Sequence, residues 1–320
     1  TVLDDYQNVV SRLKAIALLE GLDVQTVILT ERVVNEAALV RQLAETDCLI
    51  LIRERTQITA SIIKHLPRLK LIVQTGRLSG CIDLDACRQS GVTVLDGTGN
   101  PVAPAELTWA LILAASRRIV PYARALETGQ WQRSCSSMQN EQLGRSMNGR
   151  SLGIWGLGKI GKRVAAIGRA FGMRILIRGR DQSKAAAEAE GYEFVADRKV
   201  FLSRVDVLSL HLRLCQDTLN LIDHDDLAAM RPDALFVNTS RAELLSPGSL
   251  LQALQQGRPA CAALDVFENE PEGIAPYLNH PSVLCTPHLG FVELDTYEAY
   301  FREAFQHVRD FISSNKRDRP

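Results

Sequence analysis

Residues 151–182, SLGIWGLGKIGKRVAAIGRAFGMRILIRGRDQ, read as strand, glycine turn, helix and strand in succession. Leu152–Trp155 is a short apolar run suited to a buried strand, and Gly156-Leu157-Gly158-Lys159-Ile160-Gly161 follows it. A helical pattern then runs to Phe171, Gly172 ends it, and Ile175–Ile177 reads as the next strand. A G-x-G-x-x-G spacing inside a βαβ unit marks a dinucleotide site, and each glycine has its own physical reason. Gly156 permits the tight turn, Gly158 lets backbone approach a pyrophosphate, and Gly161 lets helix and strand pack closely. The helix start then offers free N–H groups and a positive dipole end to the phosphates. Gly156, Leu157, Gly158, Lys159, Ile160 and Gly161 are the expected cofactor contacts.

A chain of 320 residues is long enough for about two domains with ample core. Formal net charge is zero and no lysine/arginine block appears, which argues against nucleic acid as a partner. No apolar run approaches the roughly 20 residues of a membrane span. No leader is read at the N-terminus, and the start at Thr1 leads us to expect a few residues ahead of it. The seven cysteines show no C-x-x-C pair and sit mostly in apolar or helical contexts, as in TDCLILI and PACAALD. They read as reduced thiols of a cytoplasmic protein, and no metal site is expected.

The first third alternates strand and helix signals. Val24–Leu29, Cys48–Ile52, Leu71–Gln74 and Val92–Leu95 read as strands, with helices over Glu31–Leu43, Thr59–His65 and Leu84–Gln89. Such alternation predicts a parallel sheet covered by helices. A turn-rich stretch, DGTGNPVAPAE, marks a boundary, and Ala105–Ile119 then reads as a long apolar helix begun by Pro104. Residues 129–150 are polar and weakly periodic, and read as a loop or extending arm. After the glycine unit come strands over Val205–His211, Ala234–Asn238, Cys261–Val266 and Val283–Thr286, then an amphipathic helix over Glu293–Ile312. The fold expectation is therefore α/β. It has two Rossmann-like doubly wound parallel-sheet domains, the cofactor domain (99–290) inserted into the sequence of a substrate domain (1–98 and 291–320). A crevice between two such domains suits a small substrate.

Three predicted strands end in polar tails: Phe236–Arg241, Ala263–Pro271 and Cys285–Gly290. Ligands of open α/β sheets bind outside the carboxyl ends of strands, so these tails are expected near the reactive end of the cofactor. Hydride transfer to a 2-keto acid leaves charge on the carbonyl oxygen, which needs a proton donor titrating near neutral pH. His288 fits that task, Glu270 fits the carboxylate that orients the ring, and Arg241 fits the grip on a substrate carboxylate. Taken singly, each has a plainer explanation as a capping, solvated or loop residue. Their occurrence on successive strand ends favours the chemical one.

With GLGKIG, VNTSR, ALDVFENEP and TPHLG in this order, and with IDLDAC (Ile82–Cys87) and PVAPAE (Pro101–Glu106) ahead of them, the chain resembles the D-isomer-specific 2-hydroxyacid dehydrogenases. This family includes phosphoglycerate dehydrogenase and glyoxylate/hydroxypyruvate reductase. The resemblance runs over nearly the whole chain. It implies an NAD(P)-dependent 2-keto acid reductase with His288 as acid/base, Glu270 as its partner and Arg241 on the substrate. It also implies a homodimer built on the cofactor domains, Asp265 at the cofactor, and Thr75, Gly76, Arg77 and Leu78 at the substrate.

Two departures stand out. Leu78 replaces a second glycine of the usual substrate loop, which turns attention to Arg77 and Ser79. The second strand of the nucleotide unit ends Ile177-Arg178-Gly179-Arg180-Asp181, with glycine where NAD-using members carry an acid. No carboxylate there would repel a 2′-phosphate and an arginine could pair with it, so of NAD(H) and NADP(H) the expectation leans to NADP(H). Asp181 argues the other way. The competing class is a non-catalytic, NAD(H)-sensing, corepressor-like interaction protein of the same fold, which can retain the same Arg, Glu and His.

Overall fold

In the structure, a computed structural model describing residues 1–132 and 143–317, the chain divides into two compact units. One comprises Thr1–Asn100 with Val292–Pro320, the other Pro101–Phe291.

The first unit is built on a three-stranded parallel sheet, β1 (Cys48–Leu51), β2 (Leu71–Gln74) and β3 (Thr93–Asp96), in that order. Helices α1 (Glu36–Leu43), α2 (Ala60–Lys64) and α3 (Leu84–Gln89) precede β1, β2 and β3 in turn, each connecting its strand to the chain before it, and a C-terminal helix, Leu294–Arg317, returns to this unit. Leu49, Leu51, Ile62, Ile63, Ile72 and Val92 form its core. Each connecting helix starts at a short polar cap: Asn35, Thr59 and Asp83 accept from the backbone N–H three residues on. The Asn35 cap explains why α1 begins at Glu36 and not at Glu31, where the apolar pattern begins. The expected strand Val24–Leu29 is reduced to a bridge between Ile28 and Val2. Asp4 turns the neighbouring segment at φ 61°, and past it the pairing continues as Asp5 N donating to the Leu29 carbonyl at 2.9 Å.

The second unit opens with α4 (Val102–Ser116) and α5 (Ile119–Glu127), separated by Arg118 at φ 54°. Pro104 lies inside the first turn of α4, where its missing N–H costs nothing. The expected arm over 129–150 falls partly on residues 133–142, outside the described residues. The nucleotide unit follows: β4 (Ser151–Trp155), α6 (Lys159–Ala170) and β5 (Arg174–Arg178). Then come α7 (Asp181–Ala189), β6 (Glu193–Phe194), α8 (Arg198–Arg204), β7 (Val207–Leu210), α9 (His224–Ala229), β8 (Leu235–Asn238), α10 (Ser249–Gln255), β9 (Cys261–Leu264) and β10 (Val283–Cys285).

The seven strands form one parallel sheet in the order β10-β9-β8-β7-β4-β5-β6, doubly wound about β4 and β7. Strand pleat divides its core in two. Phe236, Leu208 and Leu264 join Phe201 and Leu227 on one face. Leu235, Val237 and Ala263 join Ile112 and Val164 on the other. Strands buried on both sides explain the unbroken apolar runs in their sequence. Among the described residues, no helix is long and apolar enough to cross a membrane.

Candidate active site

The nucleotide turn is shaped by backbone contacts that exclude side chains. Gly156 has φ 106°, and a Cβ there would lie 2.5 Å from the His211 carbonyl oxygen. A Cβ on Gly161 would collide with the Gly156 carbonyl. Gly158 differs, because a Cβ there would meet nothing within 4 Å. It is the N-cap of α6, extended at φ −83° and ψ −165°, and no side chain caps the helix. The first turn of a 12-residue helix thus presents uncapped N–H groups beside an open glycine. That cradle fits the pyrophosphate of a dinucleotide. Leu157 is buried beneath it, and Lys159 is exposed with Ile160 half-buried beside it.

At the end of β5 the two arginines part company. Arg178 donates from Nη1 to the Ala196 carbonyl, and its guanidinium lies over the Trp155 ring at 5.1 Å. Burial, and then the neighbouring Arg198, lower its pKa from the ordinary guanidinium value. Arg178, expected with Gly179 and Arg180 at the cofactor, thus engages the protein's own backbone and ring. Arg180 is exposed at the N-cap of α7, and its side chain has no acceptor among the described residues. Gly179 backs onto Ser183, whose Oγ would lie 2.5 Å from an added Cβ. Asp181 is exposed in the first turn of α7.

The three polar strand tails all belong to the second unit. After β8, Asn238 donates from Nδ2 to the Arg241 carbonyl at 2.8 Å, and its Oδ1 accepts from Ser240 N at 3.0 Å. This amide clasp sets the chain direction at Arg241, whose Nη1 donates to the Ser240 carbonyl at 2.7 Å. After β9, Glu270 folds back so that Oε1 accepts from Phe267 N at 2.9 Å. Its Oε2 meets His288 Nδ1 at 2.7 Å. The two side chains are 34% and 27% exposed, sheltered but open to solvent. His288 follows β10 in a left-handed conformation, φ 52°, and its ring meets Phe291 edge-on at 5.7 Å. Glu270 and His288, eighteen positions apart, are thus brought into contact.

Asp265 was expected at the cofactor. It is fully buried and engages the loop that carries His288. Its Oδ1 accepts from Thr286 Oγ1 at 2.6 Å and Leu289 N at 2.7 Å, and Oδ2 accepts from Gly290 N at 2.9 Å. Burial raises its pKa, while these donors and His288 pull it down. An acid between a strand and a loop looks alike in sequence whether it faces a ligand or its own backbone, so this bracing role was not legible there.

In the first unit, Thr75 is buried and accepts at Oγ1 from Arg53 N at 3.0 Å. Gly76 has φ 69°, and the Arg53 guanidinium covers its Cα. Arg53 was not singled out in the sequence, where it reads as one charge among several in RERT. Leu78 donates its N–H to Asp96 Oδ2 at 3.0 Å. Ser79 turns inward, accepting from Gln74 Nε2 at 3.2 Å, and Arg77 is exposed.

Comparison with known proteins agrees with this architecture. Residues 109–290 match the family model described as D-isomer specific 2-hydroxyacid dehydrogenase, NAD binding domain. A glyoxylate reductase of Aeropyrum pernix is 37% identical over 247 residues, 75% of this chain and 72% of that protein. A D-3-phosphoglycerate dehydrogenase of Methanocaldococcus jannaschii is 34% identical over 79% of this chain, but the match spans only 47% of its length. The crystal structure of a phosphoglycerate oxidoreductase from Vibrio cholerae O395 superposes with a TM-score of 0.92 at 50% identity, covering 98% of each chain. With the nucleotide cradle, the parallel sheet and these matches together, the chain belongs to the D-isomer-specific 2-hydroxyacid dehydrogenase family.

Proposed function

We propose that the protein is a nicotinamide-dependent reductase of small 2-keto acids such as glyoxylate, hydroxypyruvate or a phosphorylated relative. The reverse direction would oxidise the D-2-hydroxy acid. The observation that carries this reading is the 2.7 Å contact between His288 Nδ1 and Glu270 Oε2, at strand ends that follow the dinucleotide turn. Family membership supports it.

Gly156–Gly161 would hold the cofactor's pyrophosphate through backbone N–H groups at the start of α6. When bound, the reduced nicotinamide supplies the hydride. Arg241 grips the substrate carboxylate and polarises the adjacent carbonyl. With Nδ1 committed to Glu270, the imidazole gives a proton from Nε2 to the carbonyl oxygen as negative charge develops there. The carboxylate steadies the ring's positive charge and its orientation. Asp265 holds the loop on both sides of His288. Thr75, Gly76, Arg77 and Leu78 complete the proposed substrate contacts, on the family resemblance.

Of NAD(H) and NADP(H), the proposal leans to NADP(H). Arg180 supports this, as an exposed guanidinium at the end of β5 with no carboxylate in the Gly179 position. Arg178 instead turns to the Ala196 carbonyl and the Trp155 ring. A homodimer through the second unit is also part of the proposal. Leu126, Trp131 and Leu143 support it, being 55%, 74% and 81% exposed around one hollow. Light scattering giving twice the chain mass would bear on it directly.

The test of function is absorbance of the reduced nicotinamide, with NADPH and NADH in parallel against glyoxylate, hydroxypyruvate, pyruvate and bulkier keto acids. Turnover with any of them supports the reading. Cofactor binding without turnover on the whole panel would favour a cofactor-sensing interaction protein.

A further inference from the structure

One cavity lies wholly within the first unit, at the carboxyl ends of β2 and β3 and against the C-terminal helix. Its volume is about 600 Å³, within the range of small-molecule sites. The carboxyl ends of parallel strands are where open sheets place ligands. The 75–79 turn contributes Arg77, the tail of β3 contributes Asp96–Thr98, and the C-terminal helix contributes Arg302, Glu303 and His307.

The charges on its wall are not paired with one another. Glu303 is spent on the β3 tail, accepting from Thr98 N at 2.7 Å and from Thr98 Oγ1. Gly97 allows that approach, because a Cβ there would lie 2.5 Å from Glu303 Oε2. Asp96 accepts from Leu78 N at 3.0 Å, and Asp310 accepts from Gln306 Nε2 at 2.9 Å. His307 Nε2 is held at 3.0 Å by the Asp96 carbonyl. Each carboxylate therefore already has a donor other than the two arginines. The guanidiniums of Arg77 and Arg302 have no acceptor among the described residues, although three acids line the same cavity. Two unpaired guanidiniums on a frame fixed by other bonds suit a compact, multiply charged oxyanion.

We propose that this cavity binds the phosphate group of a small phosphate ester through Arg77 and Arg302. The site does not depend on the hydride-transfer reading; only Arg77 is common to both. The phosphate belongs either to a separate effector or to the remote end of a phosphorylated keto-acid substrate.

The experiment is calorimetric titration of inorganic phosphate into the full chain, with the nicotinamide cofactor saturating so that the start of α6 is filled. Chloride at equal ionic strength is the blank. We expect saturable binding that weakens at least about tenfold in Arg302→Ala and in Arg77→Ala. Arg88→Ala serves as control, an exposed arginine of the same unit paired with Asp85 at 2.7 Å, and should bind as the parent does. No saturable binding above the blank, or equal affinity in Arg302→Ala, overturns the proposal. Steady-state kinetics of Arg302→Ala then separate the two sources. A KM raised about tenfold for a phosphorylated keto acid alone, with glyoxylate unchanged, identifies the substrate's own phosphate. Unchanged KM for both, with phosphate binding lost, identifies an effector.

Discussion

At the scale of single residues, the proposed chemistry rests on one imidazole and the groups that hold it. His288→Ala should lower turnover at least about a hundredfold while cofactor binding persists, measured by kcat and by fluorescence titration of the reduced nicotinamide. Near-normal turnover would remove His288 as acid/base. Asp265 is predicted to act through the loop. Asp265→Ala deletes the acceptor for Thr286 Oγ1, Leu289 N and Gly290 N, so kcat should fall at least about tenfold with cofactor affinity within about twofold. A loss confined to cofactor affinity would return Asp265 to the cofactor. Arg180→Ala should weaken NADPH by about tenfold and leave NADH nearly unchanged. Equal effects on both cofactors would sink the 2′-phosphate assignment. The positions of Arg241, Glu270 and His288 just past strands, and the pairing of the last two, were legible because each belongs to a polar tail that follows a buried apolar run. The engagement of Arg178 with Trp155 and Ala196 was not, since a guanidinium reaches far from its own Cα and sequence does not record where it ends.

At the scale of elements, the β4–turn–α6 unit depends on atoms that are absent. The Cβ of Gly161→Ala would collide with the Gly156 carbonyl, a backbone atom that cannot swing aside. We expect a lower melting temperature together with weaker cofactor binding, and an unchanged melt would contradict the close packing. His211 follows β7 and turns its carbonyl toward Gly156, while its Nε2 lies 2.9 Å from Ser209 Oγ. Burial pushes the His211 imidazole down from 6.5 to about 3. The fold therefore holds the ring neutral, while the unfolded chain protonates it near 6.5. Its stabilising contribution is complete above that pH and is lost as pH falls toward about 3. The melting temperature should drop across this window, and His211→Gln should flatten the drop. Helix starts tested expectation most sharply. Asn35 caps α1 five residues later than the apolar pattern begins, because a side-chain acceptor decides where a helix starts when several apolar positions would allow it.

At the scale of the whole molecule, the chain makes one unit from its two ends and the other from its middle. The Pro101–Phe291 unit holds both faces of a seven-stranded sheet within its own boundaries, so the fragment should fold alone. We expect a cooperative melt and retained cofactor binding, with keto-acid turnover lost; a fragment that fails to melt cooperatively would refute that independence. The sequence by itself determined the parallel α/β class, the strand–glycine turn–helix unit and the polar tails past β8, β9 and β10. Those follow from local rules: apolar runs too short for helices, glycines where no Cβ fits, and polar residues just past buried strands. Only the tertiary structure decided that Asp265 braces the loop around His288, that Arg178 turns to Trp155 and Ala196, and that Arg77 and Arg302 share a cavity. Such contacts join residues from separate strands, turns and helices, and their directions are set by packing and by backbone hydrogen bonds that no local pattern encodes.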